Sequence, residues 1–294
     1  IQMNYGGLPD KYSEAGNAEI VIIPVPYDET STWIKGSDKG PEAIMKASAN
    51  MELYDIETDS EVYLRGIHTG LPVTEKSSPE AMVEKVFDRV SSTLRNGKFP
   101  VVLGGEHSVS IGSIKAFARQ YPKLTVLQID AHSDLRNEYN GSLNNHACVM
   151  ARAREVAPVV QVGIRATDSE ELSALDPSKT FFAHEIEGNK EWMDKAIELL
   201  SEDVYITIDL DALDPSIMPS TGTPEPGGMG WYQTLRFLEK VISARNLAGF
   251  DVVELCPSES NKAPDFLAAK LIYRILSMKF KKPGQPERQH NKSL

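Results

Sequence analysis

Asp130-Ala131-His132-Ser133-Asp134 carries three metal-capable side chains at alternate positions, directly after an apolar run at residues 124–129. Successive strand residues point to opposite faces, so side chains two apart share a face. Three ligands therefore converge at the end of one predicted strand. Asp209-Leu210-Asp211 repeats the carboxylate spacing after the apolar run 204–208, and His107 follows the apolar run 99–103. Four carboxylates in one small volume cannot all ionise cheaply, because like charges at such range oppose one another. Two divalent cations would neutralise them, with shared carboxylates holding the ions close together. Two imidazoles and four carboxylates without a thiolate suit an oxygen-rich, near-octahedral ion such as Mn²⁺ better than a structural zinc; zinc, cobalt and iron stay open on softness alone. Asp-x-His-x-Asp by itself has roughly even odds of being a solvated loop, and Asp-x-Asp after a strand often only caps a turn. Their coincidence at successive strand ends is what carries the metal reading.

The elements that must position these residues can be read from the apolar pattern. Near-continuous apolar runs at 18–24, 99–103, 124–129, 159–164, 204–208 and 248–255 predict strands covered on both faces. Pro24 and Pro26 are expected to end the first, and residues 54–70 have room for one more strand. Pro41 opens a short helix. Residues 78–97 give the clearest helix, with Ser78 as N-cap, Pro79 in the first turn and Val83, Phe87, Val90 and Leu94 as one stripe. Further helices are expected after Ser108, from near His146, and over 191–201, 231–245 and 264–280, whereas the Pro/Gly-rich residues 214–230 must be loop. Alternating strands and helices predict one α/β domain over residues 1–280, a parallel sheet with helices on both faces. A disordered polar tail is expected over 281–294. In such sheets ligands bind beyond the carboxyl ends of the strands, where His107, Asp130, Asp209 and Glu254 all fall.

Composition narrows the partners. The chain of 294 residues is 41% hydrophobic and 25% charged, ordinary for a soluble domain with a substantial core. A net charge of −11, with the only short basic stretch at 279–282, argues against nucleic acid and is compatible with a small cationic substrate. No apolar run is long enough to span a bilayer, and no basic-then-apolar leader opens the chain, so a cytoplasmic protein without membrane attachment is expected. Cys148 and Cys256 give neither a disulfide framework nor a zinc spacing.

Gly104-Gly105-Glu106-His107-Ser108, Asp130-Ala131-His132-Ser133-Asp134 and Asp209-Leu210-Asp211-Ala212-Leu213-Asp214-Pro215 resemble the three ureohydrolase (arginase/agmatinase) signatures. The last runs on into Pro219-Ser220-Thr221-Gly222-Thr223-Pro224-Glu225-Pro226-Gly227-Gly228, and the likeness covers about residues 20–280. It implies an arginase-like three-layer α/β/α sandwich around a mostly parallel sheet, with two Mn²⁺ per subunit. It places one ion on His107, Asp130, Asp134 and Asp209, and the other on Asp130, His132, Asp209 and Asp211. Glu106 stands where many members have Asp, and is not a ligand. Residues 134–150, with Arg136, Tyr139, His146 and Cys148, look like bacterial and archaeal agmatinases, with Asn137 a departure where these more often have Asp. The Asn and Ser pattern with which arginases hold an α-carboxylate and amino group is absent.

The resemblance implies cleavage of agmatine to putrescine and urea, a step of polyamine biosynthesis, by a metal-bridging hydroxide that attacks the guanidinium carbon. Glu254 would hold the guanidinium, Asp134 relay a proton, His146 exchange protons with solvent and contact substrate, and Thr221 and Glu225 touch substrate from the signature loop. A homo-oligomer, trimer or hexamer, is also implied. The duller readings are that His146 is a cap, Glu254 a buried acid with an Arg partner, and Arg136 an exposed pair with Glu138. A Cys148–His146 nucleophile pair is rejected, since residues two apart on a helix do not face one another. Rival functions are arginase or guanidinobutyrase activity, a one-metal zinc deacetylase-like hydrolase, and a non-catalytic homologue, whose expected missing ligand is not missing here.

Overall fold

A computed structural model describes residues 3–189 and 191–281; the tail expected over 281–294 lies, apart from Lys281, outside the described residues. Eight parallel strands form one sheet: β1 (Ile20–Val25), β2 (Ile67–Thr69), β3 (Phe99–Gly104), β4 (Thr125–Ile129), β5 (Val159–Ile164), β6 (Thr180–Phe182), β7 (Asp203–Asp209) and β8 (Asn246–Val253). Their order across the sheet is β2-β1-β3-β8-β7-β4-β5-β6. Alternation along each strand divides the apolar residues between two cores. Ile22, Val101, Leu127, Val204 and Phe250 pack against helices Gly40–Ser48, Trp192–Glu198, Trp231–Ala244 and Ala263–Lys279 on one face. Ile23, Val102, Val126 and Tyr205 pack against helices Pro79–Arg95, Val109–Gln120 and Val149–Ala153 on the other. The result is the three-layer α/β/α sandwich with an all-parallel sheet.

Local chemistry explains most boundaries. Ser78 accepts the Ala81 N–H at 3.1 Å and caps the Pro79–Arg95 helix. Pro24 does not end β1 as expected but sits inside it, paired with Leu103. Ile22 and Pro24 both face the β2 side, where their carbonyls accept from Gly70 and Val73. β2 has already finished at Thr69, opposite Ile22, so the proline's missing N–H falls where no ladder partner exists. The helix expected near His146 is a single 3₁₀ turn, His146–Cys148, followed by the short helix Val149–Ala153. Among the described residues no helix is long and apolar enough to cross a membrane.

Strand order brings the predicted residues to one rim. β4 lies between β7 and β5, and β8 between β3 and β7. Asp130 and Asp209 therefore stand on adjacent strand ends, with His107 and Glu254 on the next two. Gly105 makes the turn after β3 possible. A Cβ there would stand 1.9 Å from the Tyr27 carbonyl oxygen, which instead accepts the Glu106 N–H at 2.9 Å.

Candidate metal centre and its cleft

The six predicted ligands form one cluster, buried except for the partly exposed His132. His107 Nδ1 lies 2.9 Å from Asp134 Oδ2, 3.1 Å from Asp130 Oδ2 and 3.4 Å from Asp209 Oδ2. His132 Nδ1 lies 3.0 Å from Asp211 Oδ2 and 3.8 Å from Asp130 Oδ1. Asp130 belongs to both groupings, His107/Asp130/Asp134 and Asp130/His132/Asp211. Asp209 reaches His107 with one oxygen, and its other accepts the Asp211 N–H at 2.9 Å. It therefore lies beside both groups, the position a bridging carboxylate requires.

His107 supplies the test of whether a cation fits. It is buried, and its Nδ1 has no hydrogen-bond partner although three carboxylate oxygens surround it. Its other nitrogen, Nε2, is 2.9 Å from Thr207 Oγ1, which donates its hydrogen to Asp251 Oδ1 at 2.6 Å. Tyr205 O–H fills Asp251 Oδ2 at 2.5 Å. Thr207 must then accept from Nε2–H, so Nδ1 presents a lone pair among carboxylates. That is the donor set of a divalent cation, and a carboxylate-anchored imidazole is its usual support. A second chain fixes Asp130. Gln161 Nε2 donates to Gln128 Oε1 at 2.6 Å, and Gln128 Nε2 to Asp130 Oδ2 at 2.7 Å.

The electrostatics agree. Burial, with Asp134 and Asp211 nearby, pushes Asp130 up to about 7. Burial, with Asp211 and Asp130, pushes Asp209 well above the usual carboxylate range. Burial alone would lower both imidazoles, but Asp130, Asp134 and Asp209 hold His107 well above its ordinary value, and Asp211 leads in raising His132 to about 11. Burial opposes the ionised form of Asp211 too, yet the His132 charge outweighs it and the carboxyl is lowered. Without cations the cluster holds protons in their place.

Glu254 follows β8 with φ +67°, in the left-handed region that costs a non-glycine residue about 1–3 kcal/mol. Three contacts hold it there: its N–H donates to Gly105 O at 2.8 Å, Oε1 accepts the His107 N–H at 2.7 Å, and Oε2 accepts Ser37 O–H at 3.1 Å. Its partners are thus a backbone amide and a hydroxyl, not an arginine. Burial and the neighbouring Glu106 push its carboxyl up to about 8. Asp134 is also left-handed, at φ +51°.

His107, His132, Asp134, Asp209, Asp211 and Glu254 line a cavity of about 300 Å³ that also takes in His146 and Tyr139. His146 is half-buried, and burial lowers its pKa. Cys148 is 3.9 Å from Ser142 O, and burial raises its thiol to about 11, so it is no nucleophile. The signature loop reaches the cavity through Thr223 and Glu225, whereas Thr221 is buried and its hydroxyl has no hydrogen-bond partner.

Arg136 corrects an expectation. It pairs not with Glu138 but with Asp168 at 2.8 Å and Glu171 at 3.2 Å, and its guanidinium lies 4.4 Å from the Tyr139 ring centroid. Thr32, Thr167, Asp168 and Glu171 line the cavity without having been anticipated. Asp168 was accessible to the strand-end rule, since it lies four positions beyond β5; the other three carry no signal in sequence.

The chain is similar to known proteins. Residues 18–277 match the Arginase family. The N(1)-aminopropylagmatine ureohydrolase of Synechocystis sp. is 38% identical over 271 residues, 88% of this chain and 89% of that one. The agmatinase of Pyrococcus horikoshii is 33% identical over 267 residues, 89% and 92%. The crystal structure of the agmatine ureohydrolase of Thermoplasma volcanium aligns with a TM-score of 0.85 at 31% identity, covering 96% of each chain. The match spans nearly every described strand and helix, and the chain belongs to the arginase family.

Proposed function

We propose that this chain is a two-cation ureohydrolase that splits the guanidino group of agmatine into putrescine and urea. The metal cluster supports the hydrolytic part, and the charge of the cleft supports the substrate. Arg136 is the sole Arg or Lys among the described cavity-lining residues, and Asp168 and Glu171 already occupy it. No Arg or Lys among the described lining residues is left for an α-carboxylate, whereas Glu225, 4.0 Å from His132 Nε2, offers a half-exposed carboxylate to an amine. A guanidinium with a cationic tail fits that charge; an amino acid does not.

His107, Asp130, Asp134 and Asp209 would hold one cation, and Asp130, His132, Asp209 and Asp211 the other, with Mn²⁺ favoured by the oxygen-rich set. Such cations, when bound, polarise the reacting oxygen and make water a nucleophile at neutral pH. Glu254, ionised against the guanidinium, orients it by charge-assisted hydrogen bonds. As the C–O bond forms, Asp134 takes a proton from the attacking water. As the C–N bond breaks, the departing amine takes its proton through His146: the lowered pKa keeps the imidazole neutral near neutrality, so it picks up a proton from solvent, to which Asp134 returns its own, and passes it to the amine.

The name of the Synechocystis relative favours a second reading, agmatine bearing an aminopropyl group. It keeps the guanidinium and adds a cation, so the same cleft accommodates it. Urea release with Mn²⁺ from agmatine, N1-aminopropylagmatine, arginine and guanidinobutyrate decides. Agmatine fastest supports the first reading and aminopropylagmatine fastest the second. Arginine or guanidinobutyrate fastest overturns both.

A further inference from the structure

The segment between β1 and helix Gly40–Ser48 supplies no metal ligand, yet it ends on two proposed catalytic side chains. Asp28 closes it on itself: Oδ2 accepts the N–H groups of Gly36 at 2.6 Å and Ser37 at 3.2 Å, and Oδ1 accepts Ser31 O–H. The loop so tied places Ser37 Oγ on Glu254 and Thr30 Oγ1 between Glu106 and His146.

A threonine hydroxyl has one hydrogen and two lone pairs. Thr30 Oγ1 has three partners: Glu106 Oε1 at 2.9 Å, the His146 backbone N–H at 3.0 Å and His146 Nδ1 at 3.2 Å. The backbone N–H can only donate, so it takes one lone pair. The Glu106 oxygen, in its ionised form, only accepts, so it takes the hydrogen. The remaining lone pair faces Nδ1, which therefore carries the ring proton and leaves Nε2, on the far side of the ring, with a free lone pair. Glu106 is a fixed anchor for this arrangement. It is wholly buried, and it accepts the Ser108 N–H at 2.9 Å and the Ser108 O–H at 2.8 Å. Tyr139 meets the imidazole edge-on at 6.1 Å between centroids, limiting ring rotation.

We infer that Thr30, backed by Glu106, is a positioning residue that sets the backbone, ring orientation and tautomer of His146. The inference rests on the ureohydrolase reading, in which His146 moves a proton. Thr30 makes its hydrogen bonds with Glu106 and His146, and none with the proposed metal ligands, so its effect should appear in turnover without loss of metal.

The test is a double-mutant cycle in the full-length, Mn²⁺-loaded protein, using the substrate hydrolysed fastest. Thr30→Val is expected to lower kcat by about 10- to 100-fold, the scale of a misplaced catalytic group. KM and metal content per chain should stay within about twofold, and Thr30→Ser should restore most of the turnover. In a His146→Ala background, Thr30→Val should change kcat by less than about twofold, because coupled residues are not additive. Wild-type kcat in Thr30→Val, an equal loss in both backgrounds, or Thr30→Ser as poor as Thr30→Val overturns the inference. Should Thr30→Val not fold, nitrogen NMR of wild-type protein loaded with diamagnetic Mg²⁺ reads the tautomer directly. A protonated Nδ1 on His146 upholds the inference and a protonated Nε2 overturns it. A wild-type protein that releases no urea from any guanidino compound removes the ureohydrolase reading and this inference with it. An active wild type with an additive cycle removes the inference alone.

Discussion

Thr207→Val should weaken one cation site and spare the other. Thr207 Oγ1 accepts from His107 Nε2 at 2.9 Å and passes its own hydrogen to Asp251 at 2.6 Å. Valine keeps the shape and removes both bonds. His107 then has two courses. It can keep its proton on Nε2, leaving a buried donor unsatisfied at about 1–3 kcal/mol. Or it can move the proton to Nδ1, which fills the lone pair that faces Asp130, Asp134 and Asp209. Either way, affinity for the cation on His107 should fall about 10- to 100-fold, the usual cost of losing the outer partner of a ligating histidine. That is about 1.4–2.8 kcal/mol. His132 takes its support from Asp211 and Asp130, neither of which touches Thr207. Calorimetric titration of metal-free protein with Mn²⁺ should therefore show, against wild type, one retained and one weakened step. Equal weakening of both steps, or of neither, would refute the tautomer argument.

Metal-free protein should lose stability as pH rises. Asp130 is held at about 7 and Glu254 at about 8, against ordinary values of 3.8 and 4.5, so the folded state binds more protons than the unfolded state across that interval. Its melting temperature after EDTA treatment should be lower at pH 8 than at pH 5.5, with Mn²⁺ raising it most at pH 8; a melt that climbs over the interval contradicts this. Glu254→Gln keeps the acceptor for His107 N–H but removes the charge. It should cut kcat/KM about 10- to 100-fold, the worth of a charge-assisted hydrogen bond, and raise the metal-free melting temperature at pH 8; unchanged kcat/KM would exclude Glu254 as the guanidinium anchor. Arg136→Ala should lower activity on agmatine and on arginine by a similar factor, because Arg136 is engaged by Asp168 and Glu171. A collapse confined to arginine and guanidinobutyrate would show that it grips a substrate carboxylate.

The fold was legible where burial leaves a long trace. β3, β4, β5 and β7 are covered on both faces, and their apolar runs announce them within a residue or two. β2 and β6 have three residues each and lie at the two edges of the sheet; β2 falls within the 54–70 stretch expected to have room for a strand, and β6 is too short for any period to show. Pro24 misled because a proline ends a strand only when the ladder needs its N–H. Whether it does depends on how far β2 extends, and that is a tertiary fact.

The site divides along the same line. Asp130, His132, Asp134, Asp209 and Asp211 were readable because alternate spacing after a strand fixes both face and end, which is local geometry. His107 and Glu254 needed the strand-end rule, which requires the sheet to be parallel but not its order. What no spacing could show is how side chains far apart in sequence saturate one another. Arg136 has Glu138 two positions away, yet meets Asp168 and Glu171 because β5 is the neighbour of β4. The proposed substrate depends on that pairing. An unoccupied Arg136 would make the cleft a receptor for a carboxylate, whereas an Arg136 held by two acids leaves no Arg or Lys among the described lining residues to receive one. The net charge of −11 points the same way without locating the charge. The strand order locates it, which is why the proposal of a polyamine precursor over an amino acid rests on topology rather than composition.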